Sequence, residues 1–336
     1  MARPLKGKVV VVTGASAGVG RATARAFARQ GADVGLVARS NPGLQAAARE
    51  VQAEGRRALA IPTDVADHEE VEVAADQVEA QLGPIDVWVN DAMATIFACV
   101  WDIEADELRR ATEVTYLGAA HGTMAALARM RPRNRGTIVQ VGSALAYRAI
   151  PLQAAYCAAK HALRGFTDSL RCELMSERSD VRVTMVQLPG LNTPQFSWAR
   201  VRGLPKMPRP VAPVYQPEVA AAAIVWAARH GRREVWAGGS TVTTIVANRL
   251  APWLADRYLA RTAIDGQQTE KPVPTDHRDY LFSAADDDRG AHGSFDSEAT
   301  SRSWQLQVSR HRRALAGAAV LAAFGGTRRK AAGRRR

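Results

Sequence analysis

The regular alternation of two segment types constrains this chain more than any other feature. Apolar, β-branched runs at residues 8–13, 33–38, 58–62, 85–90, 137–142, 181–188 and 234–236 read as buried strands. Ala-rich stretches between them, at 20–30, 44–54, 68–82, 105–130, 155–178 and 217–229, read as helices. Strands separated by helices pair in parallel through crossovers, and a parallel sheet needs cover on both faces. The pattern therefore predicts an α/β fold, a doubly wound parallel sheet of about seven strands, in a single domain over residues 1–242. Two stretches break the rhythm. Residues 193–217 carry six prolines with Phe196, Trp198 and Tyr215 among them, a connection long enough to be functional or an irregular packing segment. Beyond residue 242, residues 243–263 have the length for one or two helices. Residues 267–303 are polar, include Asp286-Asp287-Asp288 and show little periodicity, so 243–303 is expected to be an extension, helical and then wrapping or disordered.

Chemistry concentrates at the carboxyl ends of the expected strands. Thr13-Gly14-Ala15-Ser16-Ala17-Gly18-Val19-Gly20 closes the first strand and opens the first helix. Glycines let the backbone turn tightly and approach a pyrophosphate, whose charge is favoured by the free N–H groups at a helix start. A plain strand-to-helix turn also uses glycine, but this position in the chain favours dinucleotide binding. The second strand ends in Ala38-Arg39. An acidic residue there would hold the ribose hydroxyls of NAD, whereas an arginine pairs with the 2′-phosphate of NADP, so NADP is predicted over NAD. Tyr156 and Lys160 lie one helical turn apart on one face. A phenol of ordinary pKa, about 10, is a poor base near neutrality, and a neighbouring ammonium is expected to lower it into a working range. Ser143 closes the fifth strand, placed to hold a carbonyl oxygen while Tyr156 protonates it. Tyr and Lys four apart are common on solvated helices. Joined to Ser143 and the glycine loop, accident is a poor explanation.

Taken in order, these motifs resemble the short-chain dehydrogenase/reductase family over about residues 5–240. The matching positions are the TGxxxGxG loop (Thr13, Gly14, Gly18, Gly20), Asp64 after the third strand, Ser143, the YxxxK pair Tyr156 and Lys160, and Pro189-Gly190 with Thr193. The resemblance implies a Rossmann-like domain and hydride transfer between NAD(P)(H) and a carbonyl or alcohol. It implies Tyr156 as acid/base, Lys160 as the ligand of the nicotinamide ribose that perturbs Tyr156, and Ser143 as the residue orienting the substrate. The cofactor set it implies is Gly14, Ser16, Gly18, Val19, Gly20, Arg39, Asp64, Val65, Asn90, Pro189, Gly190 and Thr193, with Tyr156 and Lys160. Within that set Asp64 would contact the adenine and Thr193 the nicotinamide end. Two positions depart from the pattern. Asn90-Asp91-Ala92-Met93 stands where the family usually has Asn-Asn-Ala-Gly, so Met93 replaces the smallest residue beside the cofactor. Thr115 stands where the family has a catalytic Asn whose main-chain carbonyl helps hold a proton-relay water. A threonine keeps the carbonyl and loses the amide, so Thr115 is the fourth catalytic candidate and weakened activity is expected.

Other reactive side chains read as packing. His121 lies within a helix, His161 follows Lys160, and Cys157 points about a quarter-turn from Tyr156. Phe196 and Trp198 suggest a bulky or apolar substrate, with packing on a neighbouring helix nearly as good an account. Cys99, Cys157 and Cys172 have no metal-ligand spacing, so no metal site is expected.

Charge needs locating before it is interpreted. Of the net +12, nine come from Lys and Arg between Arg310 and Arg336, where there is no acid. The basicity thus belongs to a tail, 304–336, and no nucleic-acid partner is expected. Basic flanks around the apolar stretch 314–324 suit peripheral contact with an anionic membrane, or a flexible tail. Residues 9–12 are too short for a signal-peptide core and 314–326 too short to span a bilayer, so a cytoplasmic location is expected. The remaining expected partners are a small carbonyl or alcohol compound and, from the resemblance, a second or further copies of the chain through helices 105–130 and 155–178. The rival reading is a non-catalytic nucleotide-binding scaffold or sensor, suggested by Thr115, Met93 and the extension. The intact Ser143, Tyr156 and Lys160 argue against it.

Overall fold

Four consecutive valines fill β1 (Val9–Thr13), and all five of its residues are buried. A strand apolar on both sides is stable only inside a sheet covered on both faces. The computed structural model, which describes residues 4–311, puts it there. In chain order the elements are β1, α1 (Gly18–Arg29), β2 (Asp33–Ala38), α2 (Asn41–Ala53), β3 (Ala58–Pro62), α3 (His68–Leu82), β4 (Ile85–Asn90) and β5 (Ile96–Phe97). There follow α4 (Ala105–Thr112), α5 (Gly118–Met130), β6 (Gly136–Val141), α6 (Ala154–Ser176), β7 (Val181–Gln187), α7 (Gln195–Trp198), β8 (Arg200–Val201) and β9 (Lys206–Pro208). The last are α8 (Pro217–His230), β10 (Glu234–Trp236), α9 (Gly239–Leu250), α10 (Pro252–Thr262) and β11 (Gln268–Pro272).

Seven strands form one sheet in the order β3-β2-β1-β4-β6-β7-β10, every neighbouring pair parallel. This is the Rossmann-like arrangement. The strand order reverses between β1 and β4, and open α/β sheets bind ligands outside the carboxyl ends at that point. One face is packed by α1, α2 and α8 through residues such as Phe27, Leu44 and Ile224. The other is packed by α3, α5 and α6 through Val78, Met130 and Leu174.

The helix expected over 105–130 is not continuous. A π turn, Glu113–Leu117, separates α4 from α5. Thr115 sits in that turn with its hydroxyl exchanging two 2.9 Å hydrogen bonds with the Ala94 backbone, donating to its carbonyl and accepting from its N–H. Widened turns of this kind recur at functional sites.

The extension wraps the domain. After α9 and α10, β11 pairs antiparallel with β9 of the proline-rich connection. The chain then crosses the carboxyl edge of the sheet and pairs Thr300 with Val214 and Gln216 through backbone bonds of 3.0 and 2.9 Å. Beyond β11 few residues are apolar, and Leu281, Ala291, Phe295 and Leu306 are the buried apolar ones among the described residues there. The apolar stretch with basic flanks proposed to meet a membrane lies outside the described residues. Among those described, no helix is long and apolar enough to cross a membrane.

Glu107 of α4 ties the proline-rich connection to this frame. It is 1% exposed and accepts from Arg200 Nε at 2.5 Å and Arg202 Nε at 2.7 Å. Burial pushes its carboxyl up, but hydrogen bonds from Arg202 and Arg200 outweigh that and hold it below the ordinary range. A depressed carboxyl stabilises the fold above its unfolded value, about 4.3, and loses that contribution as pH falls through the folded value. Glu107→Ala should therefore cost about 3 kcal/mol, the low end for breaking a buried pair because both arginines are partly exposed, measured by chemical denaturation at pH 7. Glu107→Gln should flatten the fall in stability on the acid side.

Candidate active site

The turns after the parallel strands frame a cleft of about 570 Å³. Its geometry at one end depends on glycine. Gly14 has φ +71°, and a Cβ there would lie 3.0 Å from the backbone of Ala92. A Cβ on Gly20 would lie 2.2 Å from the Gly14 carbonyl oxygen, so this residue lets α1 start hard against the turn. Ala17, the residue before α1, offers no side-chain cap, which leaves the helix start to other partners. Thr193 packs beside this loop, where a Cβ on Gly18 would lie 3.4 Å from its Cβ, and its buried Oγ1 lines the same cleft with no hydrogen-bond partner. A backbone cradle and an orphaned hydroxyl in one cleft fit a dinucleotide, whose diphosphate needs N–H donors and whose carboxamide needs a polar partner.

Of the cofactor residues expected from the sequence, all but Gly20 and Asn90 line this one cleft. Asn90 is a correction. Its Oδ1 accepts from Trp88 Nε1 at 2.8 Å, and its Nδ2 donates to Thr123 Oγ1 and Gln140 Oε1 at 3.0 Å each. With every polar atom engaged, the side chain braces β4, β6 and α5 from below the site. Arg39 and Asp64 line the cleft with partners the sequence did not reveal. The Arg39 guanidinium donates to the carbonyls of Tyr280 (2.6 Å) and Leu281 (3.3 Å) in the extension. Burial, and then the neighbouring Arg110, push its pKa down. Asp64 Oδ1 accepts from the Ala66 N–H at 3.0 Å, while its other oxygen pairs with Arg110. Two guanidiniums therefore converge on the adenosine end.

Ser143, Tyr156 and Lys160 line the same cleft. Ser143 follows β6 in extended conformation, and its Oγ accepts from the Leu145 N–H at 3.1 Å, starting a short 3-10 turn. Tyr156 and Lys160 stand on the first two turns of α6. Lys160 is 2% exposed, and its Nζ donates to the Val141 carbonyl at 2.7 Å and lies 5.6 Å from the centre of the Tyr156 ring.

The expected lowering of the Tyr156 pKa is not found. Burial raises it, the Ser143 hydroxyl offsets only part of that, and Cys157 and Asp91 raise it further. Burial of the phenol itself is the largest cause; in the same surroundings burial pushes Lys160 down to about 8, with Asp91 opposing. Asp91 is the residue sequence reasoning missed. Burial pushes its carboxyl up to about 8, and Lys160 pulls it back. The available signal was an acid inside Asn90-Asp91-Ala92-Met93 where the resemblance has a second asparagine.

Thr115 is fully buried and outside the cleft lining. Its bonds to Ala94 fix the loop that carries Asp91 and Met93, so it positions rather than touches. His121 Nδ1 pairs with the Val65 carbonyl at 3.0 Å, and His161 Nδ1 with that of Cys157 at 2.8 Å. Cys157 is buried, and burial pushes its thiol up to about 11. All three are packing residues. Phe196 stacks with Phe97 and Phe295, ring centres 5.9 Å apart in each case, and Trp198 lies edge-on to Tyr280 at 6.1 Å. Both also line the cleft.

Known proteins share this arrangement. The family model for short chain dehydrogenases matches residues 8–200. An uncharacterized oxidoreductase of Bacillus subtilis, YxnA, is 31% identical over 322 residues, 95% of this chain and 89% of its own length, so the likeness includes the extension. The 3-dehydrosphinganine reductase of Danio rerio is 34% identical over 202 residues, 58% of this chain and 60% of that protein. Among solved structures, an alcohol dehydrogenase of the archaeon Thermococcus sibiricus, complexed with 5-hydroxy-NADP, superposes with a TM-score of 0.60 at 29% identity, covering 68% of this chain and 95% of that one. With a parallel sheet and with a glycine loop and a Ser-Tyr-Lys cluster lining one cleft, the chain belongs to the short chain dehydrogenase family and is an NAD(P)-dependent oxidoreductase.

Proposed function

We propose that the protein interconverts a carbonyl and a secondary alcohol on an apolar small molecule, with NADP(H) as the preferred cofactor. The observation that carries this reading is that Ser143, Tyr156 and Lys160 line the same cleft as the glycine loop. When bound, the dinucleotide supplies or takes the hydride. Gly14 and the first turn of α1 would hold its diphosphate, the Gly18 N–H being engaged by the Gly290 carbonyl, and Thr193 Oγ1 would offer its unpaired hydroxyl to the carboxamide. The Ser143 hydroxyl holds the substrate oxygen and Tyr156 exchanges a proton with it. Because burial raises Tyr156, its resting form at neutral pH is the protonated phenol, the state that reduction requires. Lys160, brought down to about 8, exchanges protons near neutrality and resupplies the phenol.

Met93, Ile150, Phe196 and Trp198 on the cleft wall support an apolar substrate. Arg39 and Arg110 at the adenosine end, with no acid at the end of β2, support NADP(H). The archaeal neighbour complexed with an NADP derivative is in keeping with that choice.

Three measurements test the reading. In a panel of apolar ketones and aldehydes with NADPH, Tyr156→Phe should lower kcat about 10²- to 10⁴-fold while dinucleotide affinity, read by NADPH fluorescence, stays near wild type. Arg39→Ala should reduce the preference for NADPH over NADH by about tenfold or more, the value of a charge-assisted bond to phosphate. Asp91→Asn removes the carboxylate that supports the Lys160 charge, so the lysine loses its proton at lower pH. The alkaline fall of the kcat profile should then move down by about one pH unit; an unmoved profile would separate Asp91 from the proton path.

A further inference from the structure

Between Tyr280 and Phe295 the extension crosses the cleft from one end to the other, anchored at each step to an element of the dinucleotide site. At the adenosine end, Arg39 donates to the Tyr280 and Leu281 carbonyls, and Arg110 Nε donates to Leu281 at 3.2 Å. The Leu281 side chain is 3% exposed and joins the apolar cluster of Val65 and Val114. Midway, the Gly290 carbonyl accepts from the Gly18 N–H of the glycine loop at 3.0 Å, and Asp288 pairs with Arg21 of α1. At the nicotinamide end, Gly293 N–H donates to the Asn192 carbonyl at 3.2 Å and Phe295 N–H to Asn192 Oδ1 at 3.0 Å. Here the fit is close: a Cβ on Gly293 would lie 2.5 Å from the Thr193 carbonyl oxygen.

A segment this polar buries too little apolar area to order itself. Its order comes from these anchors. Its acids are also satisfied without facing the cleft as free charges, since Asp287 pairs with Arg289, Asp288 with Arg21, and Asp286 accepts from the Tyr280 hydroxyl at 3.4 Å. Nor does the segment fill the cleft. The cavity of about 570 Å³ is lined by the glycine loop together with Leu281, Ala285 and Arg289. That is space of the size ligand sites occupy, generally about 300–1,000 Å³.

We infer that residues 280–293 form the outer wall of the dinucleotide site, a strap that encloses bound NADP(H) and must lift before the cofactor leaves. The inference rests on the reading of the cleft as a dinucleotide site. Lifting breaks the bonds at Arg39, Gly18 and Arg21 together, so the strap limits cofactor release more than binding. Arg39 thereby has two partners, the strap carbonyls and the 2′-phosphate, and couples strap closure to the cofactor it favours.

The test uses the full chain. NADPH-loaded protein is mixed with excess NADP⁺ and release is followed by the loss of bound-cofactor fluorescence, in wild type and in the double variant Leu281→Asp, Asp288→Ala. The strap account expects release about tenfold faster in the variant and a dissociation constant raised by the same factor. In wild type, hydrogen exchange at amides 280–293 should slow when NADPH binds, a readout that needs no variant. Unchanged release, tighter binding in the variant, or faster exchange on adding NADPH would each overturn the strap, the last two by showing a segment that competes with the cofactor. Failure of the wild type to bind either dinucleotide would overturn the reading of the cleft itself, and with it the strap.

Discussion

An ammonium withdrawn almost entirely from water organises the site. A lone charge in that position is costly unless its surroundings answer it. Lys160 is answered by the Val141 carbonyl at the end of β6, by the face of Tyr156 and by Asp91. Each comes from a different part of the fold: the sheet edge, the same helix and the turn after β4. The parallel sheet brings them together because its strands end in register along one edge, and the loops that leave that edge are the ones free to differ. Burial also decides the proton chemistry. It raises the pKa of the Tyr156 phenol and lowers that of Lys160 to about 8.

Around that charge, residues without a direct part in chemistry hold those that have one. Thr115, through Ala94, fixes the loop bearing Asp91, and the hydroxyl of Thr13 accepts from the N–H groups of Asp91 and Ala92 at 3.0 and 3.1 Å. A threonine at 115 therefore keeps the loop tied down even though it cannot reproduce an asparagine amide. The proline-rich connection and the extension form one layer over the carboxyl edge, joined by the pairing of β9 with β11 and held to α4 by Glu107. The cleft lies beneath that layer, and Trp198 of the connection and Tyr280 of the extension both line it, packed edge-on to each other.

Local signals in the sequence carried most of the frame. The strands were readable because a parallel strand inside the sheet shows water on neither face, and the valines of β1 need no partner in view to declare that. Tyr156 and Lys160 were readable because their geometry is set by one turn of helix, and the glycine loop because Gly20 answers a contact with Gly14 a few residues away. Long-range features were not readable. The amide of Asn90 is claimed by Thr123 and Gln140, tens of residues distant, and nothing near Asn90 announces it. The π turn leaves helical periodicity almost intact, so only its bond to Ala94 reveals it. Burial of Tyr156, which reversed the expected direction of its shift, is a property of the assembled site. The extension was hardest, since Arg39 and Gly18 hold it by backbone carbonyls, and a carbonyl is the same in every residue.

A crystal structure of the full chain with NADP⁺ tests this account most directly. It should show the nicotinamide ring beside the Tyr156 hydroxyl, the ammonium of Lys160 still on the Val141 carbonyl, and the segment around Leu281 and Gly290 lying over the adenosine and diphosphate. A dinucleotide seated elsewhere, or a Tyr156 hydroxyl turned away from the ring, would contradict it.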